Sequence, residues 1–414
     1  MRTNQFSTKT TLLLVSSLTV MAGATIAPAL PSMQTHFSEI ENAGLWIRLV
    51  LTLPGLFIVL AAPLAGWFLD QKGRLRLLIP AMILYGMAGS SGLYLDSIGS
   101  ILAGRALLGV AVAGIMTCAT TLVADYYQGA ARSKFMGWQA AFMNLGGVVF
   151  LTAGGGLTEL GWRWPFAIYT FAILLVPMAI LWLPEPGQTN TTQVARSNPG
   201  QGMESPMRLM ALIYGVAFGA MIIFYFIPLQ IPFYLKSLAN AGPSVAGLAI
   251  AVSTLFATAS SFSYGRIRAR LGHVSILGLN FGLMGLGYLL IGTGNGYPAV
   301  LSGLAIGGLG MGLLFPNLNV WLTTQAPAAV RGRAVGGMTT AVFLGQFLSP
   351  IAGQPIVDAY GLGTLFFVSG GILLGTAAIF TLFRRRIHRF VHMNQKTTPT
   401  ETTESAEILP QKSY

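Results

Sequence analysis

Charge is what this chain has least of. Asp, Glu, Lys and Arg together make up 9% of its 414 residues, where soluble domains carry roughly 25%. Cysteine is nearly absent: the one thiol, Cys118, excludes an internal disulfide framework and any multi-cysteine metal site. The four histidines, His36, His273, His388 and His392, fall in loops or the tail, so no His/Cys cluster is expected, and with it no metal and no cofactor. The twelve acids are Glu39, Glu41, Asp70, Asp96, Asp125, Glu159, Glu185, Glu204, Asp358, Glu401, Glu404 and Glu407, and none interrupts the centre of an apolar run. A nucleotide-binding P-loop, an embedded acid pair and a Ser/His arrangement are all lacking, which argues against an enzyme.

Apolar length is what the chain has in abundance. It is 53% hydrophobic, with a mean hydropathy of +0.66. Runs of about 20 apolar residues recur, each long enough to cross roughly 30 Å of hydrocarbon, and in lipid such runs must be helices, because every backbone donor and acceptor needs an internal partner. Twelve spans are predicted, near 11–32, 45–70, 77–95, 98–125, 135–158, 164–183, 208–235, 244–265, 274–294, 298–323, 334–358 and 362–383. The first lacks a small-residue cleavage site and carries Pro28 and Pro31, so it reads as a retained helix and not a signal peptide. Residues 184–207, rich in Gln, Asn, Thr, Pro and Gly, read as a flexible linker, and 392–414 as a disordered tail. These divide the chain into an N-terminal six-helix bundle at 1–183 and a C-terminal one at 208–391. The fold class expected is an all-α membrane protein with twelve transmembrane helices in two pseudo-symmetric bundles.

The halves repeat each other at one offset. Adding 199 carries Gly66 to Gly265, Gly73 to Gly272, Gly104 to Gly303, Gly109 to Gly308, Arg132 to Arg331, Gly137 to Gly336 and Gly154 to Gly353. One offset serving glycines along most of a half implies duplication, a common way to build secondary transporters. Orientation follows from the basic residues. With the N-terminus in the cytoplasm, all but four of the 24 Lys and Arg, the exceptions being Arg48, Arg105, Arg163 and Lys236, fall on the inner side. Both termini and the linker are then cytoplasmic. The net charge of +12 is an orientation signal spread over short loops, and not a nucleic-acid surface.

Gly66-Trp-Phe-Leu-Asp70-Gln-Lys-Gly73-Arg74-Leu-Arg76 between spans 2 and 3 resembles the signature loop of the major facilitator superfamily, with a degenerate copy between spans 8 and 9. Arg105-Ala-Leu-Leu-Gly109 resembles the family's second motif. In span 5, Gly147-Val-Val-Phe-Leu151-Thr152-Ala-Gly154-Gly155-Gly156 is similar to the antiporter motif at its closing glycines but has Leu151-Thr152 in place of Gly-Pro. Together with Thr25-Ile-Ala-Pro28-Ala-Leu-Pro31, the chain most resembles bacterial proton-coupled drug or siderophore exporters.

The resemblance implies roles. Gly66 would permit close helix approach, Gly73 a tight turn, and Asp70, Arg74 and Asp125 a carboxylate–Arg–carboxylate latch closing the cytoplasmic gate. Arg105, seven residues into the span beginning at 98, has no midspan acid to neutralise it and costs roughly 2.5–3.5 kcal/mol unless it meets a partner or cavity. It is expected to border the cavity and serve coupling or substrate contact. Midspan polar and aromatic residues, Met21, Trp138, Gln139, Asn144, Phe224, Tyr225, Gln230, Asn317, Asn319, Trp321 and Gln346, are candidates for an amphipathic cavity near the midplane. Gly147, Gly154, Gly155, Gly156 and Pro350 are expected to shape helix packing. Absent membrane acids favour neutral or anionic cargo over cations. The function expected is secondary, proton-coupled export of amphipathic molecules by a monomer in the plasma membrane, with no nucleic-acid partner. The alternatives are import of a small metabolite, or a non-transporting receptor on the same scaffold.

Overall fold

In lipid the chain has no choice but helix, and the computed structural model is helical throughout the residues it describes, 5–186, 207–294, 296–327 and 330–387. The segment 187–206, within the expected linker, and the expected tail 392–414 lie outside the described residues. Twelve helical segments are traced among the described residues: α1 (Phe6–His36), α2 (Ala43–Lys72), α3 (Arg74–Gly89, continued by the turn Ser90–Leu93), α4 (Ile98–Tyr126), α5 (Gly129–Leu160), α6 (Trp164–Trp182), α7 (Met207–Ala239), α8 (Pro243–Arg268), α9 (His273–Thr293), α10 (Tyr297–Gln325), α11 (331–360) and α12 (362–382). The last two run on without a loop. Gly361, at φ +84° and ψ 169°, is the single non-helical residue between them, and that left-handed φ is one that glycine adopts without strain.

The sequence repeat is a structural repeat. A side chain at Gly109 would strike the carbonyl of Pro54, and one at Gly308 would strike the carbonyl of Ser253, the same pair 199 residues on. A side chain at Gly104 would meet the carbonyl of Ala88, and one at Gly303 that of Gly287, again at the same offset. Backbones touch here because nothing projects between them.

The first helix of each half is broken within its span. Pro28 cannot donate a backbone hydrogen bond, and α1 passes through a 3-10 turn at Ala27–Ala29 before resuming at Leu30. Pro228 follows the equivalent break in α7, where Tyr225 separates Met207–Phe224 from Phe226–Ala239. Gly154 of α5 packs on the Thr25 carbonyl at the first break.

The halves meet along two seams, α2 with α11 and α5 with α8, and the seams are not uniform. Away from the Asp70 loop, a Cβ at Gly155 would lie 2.8 Å from the Pro243 carbonyl, one at Gly247 2.5 Å from the Leu151 carbonyl, and one at Gly55 3.0 Å from the Phe343 carbonyl. Toward the Asp70 loop, Gly66, Gly137 and Gly265 on the same helices have nothing within 4 Å. The molecule is closed at the far end and open at the loop end.

Gly109→Val and Gly308→Val are therefore expected to cost folded protein equally, read as loss of the monodisperse peak in detergent chromatography. Gly66→Ala and Gly156→Ala, which meet open space, are expected to stay within about 0.5 kcal/mol of the parent.

Candidate functional site: a central cavity between two gates

Between the halves lies a cavity of about 650 Å³, within the range of small-molecule sites. Its walls come from α1, α2, α4 and α5 and from their repeats α7, α8, α10 and α11. The floor is Tyr225 at the α7 break, whose hydroxyl faces Gly23 across the seam. Asn144, Asn319 and Gln346 supply amides, and Met116, Met143, Met221 and Met311 much of the apolar surface. Thioethers are unbranched and polarizable, so such walls adapt to cargo of different shape.

At the far end two polar bridges join the halves. The buried Arg48 of α2 donates from Nε and Nη2 to Gln230 Oε1 of α7, at 3.0 and 2.8 Å. Its Nη1 donates to the Gly44 carbonyl at 2.7 Å and to Gln34 Oε1 at 3.2 Å, and its guanidinium lies 4.1 Å from the centre of the Phe233 ring. Next to it, Gln354 of α11 donates to Asp358 at 2.7 Å. The second bridge is Glu159 of α5, which accepts from Ser244 Oγ at 2.8 Å and Ser244 N at 3.2 Å at the start of α8, where the helix dipole favours a carboxylate.

At the loop end, Arg74 donates through Nε to Asp125 at 2.8 Å. Gly73 has φ +98°, as a tight turn demands. Glu185, at the end of the first half, accepts from the backbone N–H groups of Arg74 at 2.7 Å and Leu75 at 2.9 Å. It thereby satisfies donors that a helix start leaves orphaned. A side chain at residue 73 would run into that carboxylate.

The family model described as Major Facilitator Superfamily matches residues 12–242 and 213–409. The chain belongs to the major facilitator superfamily. It is therefore a multi-pass membrane transporter and not an enzyme. The multidrug resistance protein MdtG of Citrobacter koseri is 31% identical over 170 residues, covering 40% of this chain and 41% of that one. MdtG of Klebsiella pneumoniae is 31% identical over 170 residues, covering 40% of each. These matches thus span about two-fifths of the relatives' length. Among solved structures, the inward open conformation of the xylose transporter XylE from E. coli gives a TM-score of 0.74 at 14% identity, over 91% of this chain and 96% of that one. A point mutant of the nucleoside transporter NupG gives 0.73 at 14% identity, over 90% and 99%. At such identities these two show the fold.

The residues singled out in sequence do not all converge. Asn144, Phe224, Tyr225, Asn319 and Gln346 line the cavity, and so does Gly147. Met21 does not: it is fully buried inside the first half. Trp138 is exposed beside Lys134. Gln139 ties α5 to α1 by donating to Ser16 Oγ at 2.8 Å. Asn317 holds the turn into α9, donating to the His273 carbonyl at 3.0 Å, with Trp321 stacked on the His273 ring. Gln230 serves Arg48. The amides of Gln139, Asn317 and Gln230 are each engaged by a neighbouring helix, so they turn away from the cavity. Gly154 and Gly155 pack closely, whereas Gly156 and Gly66 do not, and Pro350 is buried within α11. Asp70 is exposed and joins neither Arg74 nor Asp125 in this open form, and the Arg74–Asp125 pair lies within the first half instead of spanning the halves.

Arg105 is the principal correction. It does not border the cavity. It is fully buried among α3, α4 and α6, donating from Nη2 to the Gly89 carbonyl at 2.9 Å, with its guanidinium 4.6 Å from the Phe166 ring centre and 4.7 Å from that of Tyr169. Two aromatic faces and a carbonyl take the place of the missing acid. Arg48 is the residue that sequence alone leaves without a role, as a basic exception near a span end. The signal available was an Arg inside an apolar run together with Gln230 and Gln354, amides that need partners in a membrane.

Arg105→Met, apolar and close in volume, removes the buried charge together with its bond to the Gly89 carbonyl and is expected to retain folded protein, whereas Arg105→Ala opens a void as well and is expected to cost about 2–4 kcal/mol in a detergent melt. Gln230→Leu strips Arg48 of two charge-assisted bonds and is expected to lower the melting temperature, while Gln230→Glu, which strengthens the bridge, is expected to raise it and slow turnover.

Proposed function

We propose that the protein is a proton-coupled exporter of amphipathic organic molecules, working by alternating access in the plasma membrane as a monomer. The observation that carries this reading is the central cavity, walled by both halves, sealed at one end and open at the other. Rocking the halves about it exposes the same site to either side. The names of the multidrug resistance relatives support export of foreign compounds. The positive-inside distribution supports a cytoplasmic position for the Asp70 loop, both termini and the 184–207 linker. On that orientation this form is open to the cytoplasm, as a form that loads cargo for export would be.

In the opposite form the far-end bridges part and the loop end closes. Asp70, unpaired here, is then available to the second half, while Arg74–Asp125 and the Glu185 cap hold the loop that presents it. Such a gate couples a small change at the loop to a large movement of the halves, because each seam has two packed arrangements and not a continuum.

Everted vesicles from cells making the full chain are expected to accumulate an amphipathic dye under an imposed pH gradient, acid inside, and to lose it when an ionophore collapses the gradient. Uptake by right-side-out cells in place of export would reverse the direction. Asp70→Asn and Asp125→Asn are expected to reduce the initial rate by about tenfold, equivalent to roughly 1.4 kcal/mol, with normal expression. Unchanged transport in both variants would remove the gate.

A further inference from the structure

We infer that the cargo of the central cavity is uncharged, held by amide and hydroxyl hydrogen bonds on an apolar wall, and that charged analogues of the same size are rejected. This rests on the reading of the cavity as the cargo site.

The first observation is the wall itself. Among the described residues that line the cavity there is no Asp, Glu, Lys, Arg or His. A charged ligand that becomes enclosed in a membrane-embedded site loses hydration and must find a counter-charge, or it pays the full desolvation cost. The two buried guanidiniums among the described residues, Arg48 and Arg105, do not line the cavity. Arg48 is held by Gln230, Gln34 and the Gly44 carbonyl, and Arg105 by the Gly89 carbonyl and two rings.

The second observation is independent and concerns the broken helices. A break within a span frees backbone carbonyls, and in a transporter such carbonyls are ready-made ligands for cations. Here several of them are already taken by hydroxyls. In α7, the Ile222 carbonyl accepts from Ser349 Oγ at 2.7 Å and the Ile223 carbonyl from the Tyr288 hydroxyl at 2.7 Å. In α1, the Met21 carbonyl accepts from Thr25 Oγ1 at 2.8 Å and the Ala22 carbonyl from the Tyr169 hydroxyl at 3.1 Å. The outer helices α6 and α9, together with α11 and α1 itself, thus spend hydroxyls on carbonyls at the breaks that a cation could otherwise use.

What remains for cargo is neutral and two-sided. Asn144 and Gln346 each offer a donor and an acceptor, Tyr225 a hydroxyl, and Asn319 an Oδ1 whose amide nitrogen is already given to the Phe315 carbonyl at 3.1 Å. Asn144 and Gln346 stand one helical turn apart in the repeat, since adding 199 to 144 gives Phe343 and to 147 gives Gln346. The position that the repeat relates to each amide therefore carries an apolar or small residue, Phe343 or Gly147, and not a second amide. A molecule with an amide, ester or hydroxyl group at each end of an apolar body satisfies both.

The test is direct binding, separate from transport. Purified full-length protein in nanodiscs is titrated with three fluorescent scaffolds, each made as a methyl ester, a carboxylate and a trimethylammonium at one position, with empty discs subtracting lipid partition. The expected result is that the ester of at least one scaffold binds ten times or more tighter than both charged forms. Asn144→Asp is expected to reverse the order in favour of trimethylammonium, and Gln346→Leu to weaken the ester without admitting either ion. Equal or tighter binding of a charged form by the parent protein, or no binding of any ester, overturns the inference. An ester that binds with this preference but is not moved in vesicles leaves the inference standing and removes the exporter reading instead.

Discussion

A guanidinium buried in a membrane must find acceptors, and where the two buried ones among the described residues find them divides the molecule into what is fixed and what would move. Arg105 finds its carbonyl and its aromatic faces inside one half. That half can then travel as a body without exposing the charge. Arg48 finds Gln230 in the other half. On the proposed rocking of the halves it would lose that partner when the far end opens, which would make the bridge state-dependent. The same residue type thus acts as internal glue in one place and as a tie between the halves in another, and the difference lies in which helix supplies the acceptor.

Packing follows the same division. Within each half, backbones approach at Gly104, Gly109, Gly303 and Gly308 through contacts repeated 199 residues apart. Between the halves, close approach is confined to the far-end part of each seam, at Gly55, Gly155 and Gly247. Loop-end glycines on the same helices stand free. Dispersion between lipid-embedded helices depends on such close contact, because lipid is as apolar as the helix surface. A seam with small residues along its whole length but contact along only part of it can pack at either end.

The fold was largely legible from the sequence because the offset repeat, the spans and the basic loops are all one-dimensional signals. The loop geometry was legible too: Gly73 has the positive φ its motif implies, and Arg74 meets Asp125. The site was legible only in part. Asn144, Tyr225, Asn319 and Gln346 face the cavity, but Met21, Gln139, Asn317 and Arg105 turn elsewhere. These helices are apolar on every side, so no stripe fixes their rotation, and a polar residue in midspan can face cargo or a neighbouring helix equally well. Arg48 and Glu159 escaped notice because their partners, Gln230 and Ser244, are 182 and 85 residues away. The break between α11 and α12 was legible as the gap between the spans near 334–358 and 362–383, although one residue, Gly361, makes it without any loop.

The central claim is that far-end closure and loop-end opening are one motion. Double electron–electron resonance on the full chain in liposomes tests it, with one spin-label pair across the α5–α8 seam at the far end and another across the loop end. The account predicts two populations at each pair whose weights move in opposite senses, with the far-end distance lengthening as the loop-end distance shortens when the pH gradient or cargo is changed. A single unchanging distance at both ends, or both ends opening together, would contradict it.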